Sequence, residues 1–303
     1  MAIAEQASLA PLSGALRRPT FARRVVRFIR RYPLAAFGIV VLALLAMCAI
    51  FAPLISPYSY RTPYTGNPLE HPSFSHILGT DNLGRDMLSR IVYGARVSLS
   101  VGFLASGIMI VIATFVGVVS GFFGGMLDFV VQRFVDVWMS IPGLVLLISL
   151  LIIEPANVLG VATAIGLLLS GGSARLIRSA VFGVRHAQYV EASRAIGASV
   201  PRLLFWHILP NIAAIIIVIG SISLGAAILL DASVSFLGYG IAPPTPDWGS
   251  MLGGQGRQFM LQAPLLSIWP GLAIALSVYS FNVIGDSVRD MLDPVASRGR
   301  GGK

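Results

Sequence analysis

Residues 189–211, YVEASRAIGASVPRLLFWHILPN, decide how this chain is read. The stretch lies between two long apolar runs and resembles neither. Glu191, Arg194 and Arg202 bring charge, six of the eight residues from Ala192 to Ser199 are small, and Pro201, His207 and Pro210 follow. Ala187, Ala192, Ala195 and Ala198 favour a helix over 186–199, where no proline intervenes; Gly197 and Pro201 then break it. Ser199 is placed to cap a second helical piece that has Pro201 in its first turn and ends at Pro210, where an apolar span begins. Ala192, Ser193, Gly197 and Ala198 are too small to shield a groove. They suit a knob that enters a cleft on another protein, although an interfacial loop helix without a partner carries the same pattern.

The runs on either side set the class of protein. Of 303 residues, 55% are hydrophobic and only 12% charged, with a mean hydropathy of +0.80. A soluble domain carries roughly 25% charged residues, so this composition describes a polytopic membrane protein. Charge-poor intervals place six spans at 34–52, about 99–122, 137–153, 155–174, 212–230 and 265–285, each near the ~20 residues that cross a bilayer as helix. Only helices satisfy every backbone group within one span, and the alternation of a barrel strand is missing. The expectation is an all-α bundle of six transmembrane helices. It divides into a basic segment 1–33, a first span 34–52, a loop 53–96 with an amphipathic helix, a core 97–288 containing the loop 175–208, and a tail 289–303.

Six spans put both termini on one side. Seventeen of the 22 arginines and lysines fall on that side, seven before the first span and five in the loop 175–208. Positive loops stay inside, so both termini and the opening stretch are expected in the cytoplasm. The first apolar run is longer than a signal-peptide core and is followed by Pro53, Leu54 and Ile55, so it reads as a retained span. The net charge of +9 does not imply nucleic acid, because the basic residues flank spans and are not gathered on a soluble face. Cys48 is the single cysteine and reads as a packing residue, with no disulfide or zinc spacing.

Small residues mark where helices in lipid approach closely. Ala113, Gly117, Gly121 and Gly125 recur every fourth residue; Gly166, Ser170 and Ala174, then Gly220, Ser221 and Gly225, repeat the idea. Such stripes describe helix packing first, and a face that slides or lines a path second; a stripe alone does not separate the two. Pro142 and Gly143 should kink the third span. No charge falls deep in any expected span, which argues against a proton-coupled transporter, and no internal repeat suggests a transporter that works alone. Ser173 follows Gly171-Gly172, but His186 and His207 belong to one side and His71 and His76 to the other, so no histidine shares its depth for nucleophilic catalysis.

Three further segments carry pattern. Leu83, Met87 and Ile91 recur at four-residue spacing with Arg85, Asp86 and Arg90 between them, an amphipathic helix on the outer surface that serves either as interfacial anchor or as docking surface. Pro243, Pro244, Pro246 and Trp248 form a stiff outer loop, with Trp248 suited to an aromatic belt or to docking. Asp286, Arg289, Asp290 and Asp293 are spaced for a salt-bridged helix end.

EASRAIGASVPRLLFWHILP resembles the cytoplasmic loop signature of ABC-importer permeases: Glu-Ala-Ala, three residues, Gly, nine residues, an apolar residue, one residue, Leu-Pro. Glu191, Ala192, Gly197, Leu209 and Pro210 match at the right spacing, while Ser193 replaces the second Ala and His207 stands where Ile is usual. HILGTDNLGRDMLSRIVYGARVSLSVG (76–102), DASVSFLGYGIAPPTPDWGSML (231–252) and FNVIGDSVRDMLDP (281–294) resemble the C-type subunit of the dipeptide/oligopeptide/nickel branch; the first 75 residues match only in general pattern. The resemblance implies a type I importer permease in the bacterial inner membrane. It implies pairing with a sister permease subunit, two cytoplasmic ATPase subunits that hold ATP and Mg, and an extracytoplasmic solute-binding protein. This chain would then be non-catalytic and bind no cofactor of its own, in keeping with the lack of a Walker motif. Residues 186–199 would be the coupling helix, with Glu191, Ala192, Ser193, Gly197 and Pro210 serving the ATPase contact, and Arg85, Asp86 and Trp248 available to the binding protein. The cargo implied is short peptides; nickel is less favoured, since no cluster of His, Cys or Met stands at ligand spacing.

Overall fold

A computed structural model describes residues 21–153 and 156–292. The expected segment 1–33 is therefore seen only from Phe21, and Glu154, Pro155 and the tail beyond Leu292 lie outside the described residues. The regular elements described are all helical. They are α1 (Phe21–Arg31), α2 (Pro33–Ile50), α3 (Ala52–Ile55), α4 (Met87–Phe123), α5 (Gly125–Ser140), α6 (Gly143–Ile153), α7 (Val158–Val184), α8 (Gln188–Ala195), α9 (Val200–Arg202), α10 (Leu209–Phe236), α11 (Trp248–Met251) and α12 (Leu265–Leu292).

The packing is built on close backbone approach. A Cβ added at Gly117 of α4 would stand 2.7 Å from the carbonyl oxygen of Ala174 in α7, and one at Gly166 of α7 would stand 2.9 Å from the carbonyl of Ala105 in α4. Only a hydrogen fits at either place, so the expected stripes are packing faces. Gly125, the last member of the first stripe, instead begins α5 with φ +57° and faces open space.

These contacts also fix direction. Residue 105 meets 166, 117 meets 174 and 121 meets 181, so α4 and α7 run side by side in the same direction. The chain between them must return across the bundle, and α5 and α6 make that return. Neither does so alone: the two are bent by 94° at the break after Ser140. The kink expected at Pro142 and Gly143 in the third span, 137–153, is present as a full break, because Pro142 has no N–H to continue the ladder, which leaves α6 with 11 residues. Among the described residues five helices are long and apolar enough to cross, and the bent pair read as one broken span makes six. The first and last described residues consequently lie at one end of the bundle, the end that also carries the stretch 185–199.

Other boundaries move as well. The expected surface helix near 83–91 and the second span are one element: α4 has 37 residues and is ~55 Å long. The fourth span runs on through Arg175 and Arg178 to Val184, so the loop expected at 175–208 shrinks to 185–199. On its far side Val200–Phe236 forms one continuous rod of 37 residues. Pro210 therefore does not end a helix. A π-helical turn at Leu203–Ile208 precedes it, the usual way a helix absorbs a local mismatch in its hydrogen-bond ladder. Buried residues form a near-continuous core around α4, with Val101, Ala105, Val161, Ile165 and Ala227 on one side and Met109, Ala113, Ile177, Ile208 and Ile212 nearer the loop end.

Candidate functional site

The loop between α7 and the long rod is a built structure. Val190 of α8 is fully buried and anchors the helix. Ser193 Oγ donates to the Tyr189 carbonyl at 2.8 Å and meets His207 Nε2 at 3.3 Å, which ties α8 to the π-turn of the rod. The helix stops after Ala195, earlier than the expected 199. Gly197 N donates to the Arg194 carbonyl at 3.0 Å and Ala198 N to the Ser193 carbonyl at 3.0 Å. With Gly197 at φ +85° these are the paired bonds of a Schellman cap, which demands a left-handed residue at this position. Ser199 stands in extended conformation before α9, with Pro201 in the first turn as expected, but its side chain makes no cap hydrogen bond.

What remains exposed is a small knob. Glu191, Ala192 and Gly197 face outward, and Ile196 between them is 87% exposed. Ser193 faces inward, acting as the pin that holds the knob to the rod, and Ala198 is half-buried. Pro210 lies on the rod beyond the π-turn, apart from the knob. Glu191 Oε1 sits 3.1 Å from His186 Nδ1 and 3.6 Å from Arg194 Nη1, all exposed and so worth little in stability. They set the charge of the knob rather than its fold.

Ion pairs behind the loop brace α5 against α7. Arg178 grips Asp128 with both Nε and Nη2, Arg175 meets Asp136, and Arg185 Nη1 donates to the Gly121 carbonyl of α4 at 2.9 Å. Sequence reading placed Arg175, Arg178 and Arg185 as topology signals only. The pairing was missed because Asp128 and Arg178 are 50 residues apart, and no local periodicity reports such a contact.

At the other end of the bundle the expected docking residues are interior. Arg85 is 8% exposed, and Asp86 and Trp248 are fully buried. Asp86 caps α4 by accepting from Ser89 N at 2.7 Å, and it holds His76 Nδ1 at 3.0 Å. Asp81 folds the loop before it, accepting from Arg85 Nε at 2.7 Å and from the backbone N–H of Leu83 and Arg85. Trp248 donates Nε1–H to the Ile91 carbonyl at 3.1 Å, with Gly94 making room for its ring, so it is not part of an aromatic belt. These side chains cannot touch a partner themselves; they shape the surface that would. Asp231, just past the expected fifth span and near the C-terminal end of α10, is fully buried and faces Ser98 of α4. Of the expected salt-bridged end of α12, Arg289 makes no ion pair with Asp286 or Asp290 among the described residues, and Asp293 lies outside them. Among the described residues no group of three His, Cys, Asp or Glu is placed to hold a metal.

Comparison with known proteins places this geometry. Residues 110–298 match the family described as binding-protein-dependent transport system inner membrane component. Residues 20–72 match the N-terminal transmembrane domain of oligopeptide transport permease C, which extends the likeness into the part where the sequence showed only a general pattern. The dipeptide transport system permease protein DppC of Alkalihalophilus pseudofirmus is 38% identical over 90% of this chain and 89% of its own length. The glutathione transport system permease protein GsiD of Pectobacterium atrosepticum is 38% identical over 88% of this chain and 89% of its own. The oligopeptide transport system permease protein OppC of Bacillus subtilis is 35% identical over 89% and 88%. Among solved structures, an inward-facing MetNI methionine ABC transporter chain superposes with a TM-score of 0.56 at 19% identity, over 68% of this chain and 98% of that one, which supports the fold. The chain belongs to the binding-protein-dependent inner-membrane permeases, within the dipeptide and oligopeptide ABC transporter family.

Proposed function

We propose that this chain is one of two permease subunits of an importer for short peptides, with α8 as the lever through which an ATPase moves the spans. The observation that carries the proposal is the knob itself: small exposed residues on a short helix, capped by Gly197 and pinned to the 37-residue rod Val200–Phe236 through Ser193 and His207. A push on such a helix is delivered directly to a rigid span. Glu191 supplies a polar contact and Ala192 lets the partner's surface approach. Two cytoplasmic ATPase subunits bind ATP and Mg and hydrolyse the nucleotide; this chain performs no chemistry.

In this reading the basic end of the bundle faces the cytoplasm, following the excess of arginine at α1, α7 and the loop. The other end receives an extracytoplasmic solute-binding protein, on a surface shaped by the Asp81–Arg85 and Asp86–His76 contacts and by Trp248. Pairing with a sister permease encloses the path. Short peptides as cargo follow from the dipeptide and oligopeptide relatives.

The test is site-specific crosslinking in the assembled importer. After Cys48→Ser, a cysteine at Ala192 should crosslink to an ATPase subunit, with a yield that changes between nucleotide-free and ATP-bound states. A cysteine that reacts only with reagents added from outside the cell would overturn the orientation. One that labels from the cytoplasm yet never reaches an ATPase subunit would overturn the lever. Competition of labelled dipeptide uptake by longer peptides, glutathione and nickel then sorts the cargo.

A further inference from the structure

Beneath α8, between the loop and the turn that follows α4, lies a cavity of about 490 Å³. Its walls include Phe122, Arg185, His186, Arg194, Val200 and Leu203. The two guanidinium groups stack on rings, Arg185 over Phe182 at 4.2 Å and Arg194 over Phe122 at 6.0 Å, but are under-used as hydrogen-bond donors. Arg185 spends Nη1 on the Gly121 carbonyl, and its Nε is buried without a hydrogen-bond partner. Arg194 Nη1 stands 3.6 Å from Glu191 Oε1, too long for a hydrogen bond, and that oxygen already faces His186. Two like charges and a histidine thus line one apolar-walled cavity against a single exposed carboxylate.

We propose that this cavity binds a phosphate group, held by Arg185 and Arg194. Guanidinium forks match phosphate oxygens in geometry and charge. Its position, at the ends of two spanning helices and beside the 55%-exposed Phe123, is the depth of a lipid headgroup, and basic pockets between spans on the cytoplasmic side recognise anionic headgroups. Free phosphate offers the same chemistry. Arg185 belongs to the fixed end of α7 and Arg194 to the lever, so a phosphate bridging them holds α8 in its resting position against the bundle. The inference rests on the lever reading only for that consequence, since binding itself does not depend on it.

The experiment uses the intact importer in nanodiscs of phosphatidylcholine alone, of phosphatidylcholine with added inorganic phosphate, or of phosphatidylcholine with phosphatidylglycerol. Readouts are the unfolding temperature and phosphate-bearing adducts by native mass spectrometry. Stabilisation by phosphatidylglycerol alone assigns the headgroup; equal stabilisation by inorganic phosphate assigns the free ion. Arg185→Gln with Arg194→Gln should lower retention roughly 30-fold. Arg194→Gln alone, whose guanidinium makes no hydrogen bond among the described residues, should lower it several-fold without disturbing α7. The proposal is overturned if neither anion changes the wild-type importer, if the variants respond as wild type does, or if a photo-crosslinker at Val200 captures an ATPase subunit instead of lipid. A knob cysteine that never meets an ATPase subunit, with the anion response intact, would sink the lever and leave the pocket standing.

Discussion

Substitution of Gly197 isolates the lever from everything else in the chain. Its φ of +85° is accessible to glycine at no cost, whereas an L-residue there loses about 1–2 kcal/mol. A Cβ at this position meets nothing within 4 Å, so backbone conformation is the whole penalty. At 1.4 kcal/mol per factor of ten, alanine lowers the population of the closed cap roughly 5- to 30-fold relative to an opened one. Valine, β-branched and a genuine outlier at positive φ, costs about 3 kcal/mol. Asparagine tolerates the left-handed region and should behave almost as glycine. The bundle contains its own control. Gly238, at the other end of α10, has φ +91°, the same two cap hydrogen bonds through Gly238 N and Tyr239 N, and open space around its Cβ. The assay is peptide uptake per ATP hydrolysed in proteoliposomes of the complete importer, beside its unfolding temperature. The ratio should fall in the order glycine, asparagine, alanine, valine at 197. The same series at 238 should lower the unfolding temperature comparably and leave the ratio alone. A wild-type ratio in Gly197→Val, or equal uncoupling by Gly238→Val, would refute the reasoning.

Four other outcomes follow from the packing. Asp128→Ala should cost about 1–3 kcal/mol by leaving Arg178 without its bidentate partner, and reversing both charges should restore part of it, read by thermal unfolding in detergent. Gly117→Ala should disrupt the α4–α7 contact, because its Cβ meets the Ala174 carbonyl at 2.7 Å; Gly107→Ala, on the same helix with nothing within 4 Å, should be silent, as size-exclusion and unfolding will show. With Trp138, Trp206 and Trp269 replaced by phenylalanine, Trp248 should emit as a buried indole and resist iodide quenching; ready quenching would mean the outer loop is not packed as described. Asp231→Asn should stabilise the subunit by roughly 1–3 kcal/mol, because a buried carboxylate is costly; a fall in unfolding temperature would show that the contact with Ser98 outweighs that cost.

Membership of the all-α membrane class was legible in composition, since a spanning helix must be apolar along its whole length and charge-poor intervals record that requirement directly. The loop signature was legible too, because Gly197 and Pro201 act on the backbone locally. Places where the sequence misled share one cause. Apolar periodicity does not report where a helix stops when its end is covered by other helices, so α4 absorbed an expected surface helix and α7 carried Arg175 and Arg178 within it. Nor does it report burial of polar side chains. Arg85, Asp86 and Trp248 look exposed in a list of residue types, yet turn geometry around Asp81 and the close approach at Gly94 draw them inside.

By itself, then, the amino-acid sequence determined the number of crossings, the basic end of the bundle and the position of the knob, all set by one-dimensional patterns of apolarity, charge and backbone-breaking residues. Tertiary structure alone decided that α4 and α7 run in the same direction and that the knob is pinned to a continuous rod. It also decided that Arg185 and Arg194 share a cavity. These are facts about residues far apart in the chain, and they arise from which backbones can approach to within a hydrogen's width and which charges are then left facing one another.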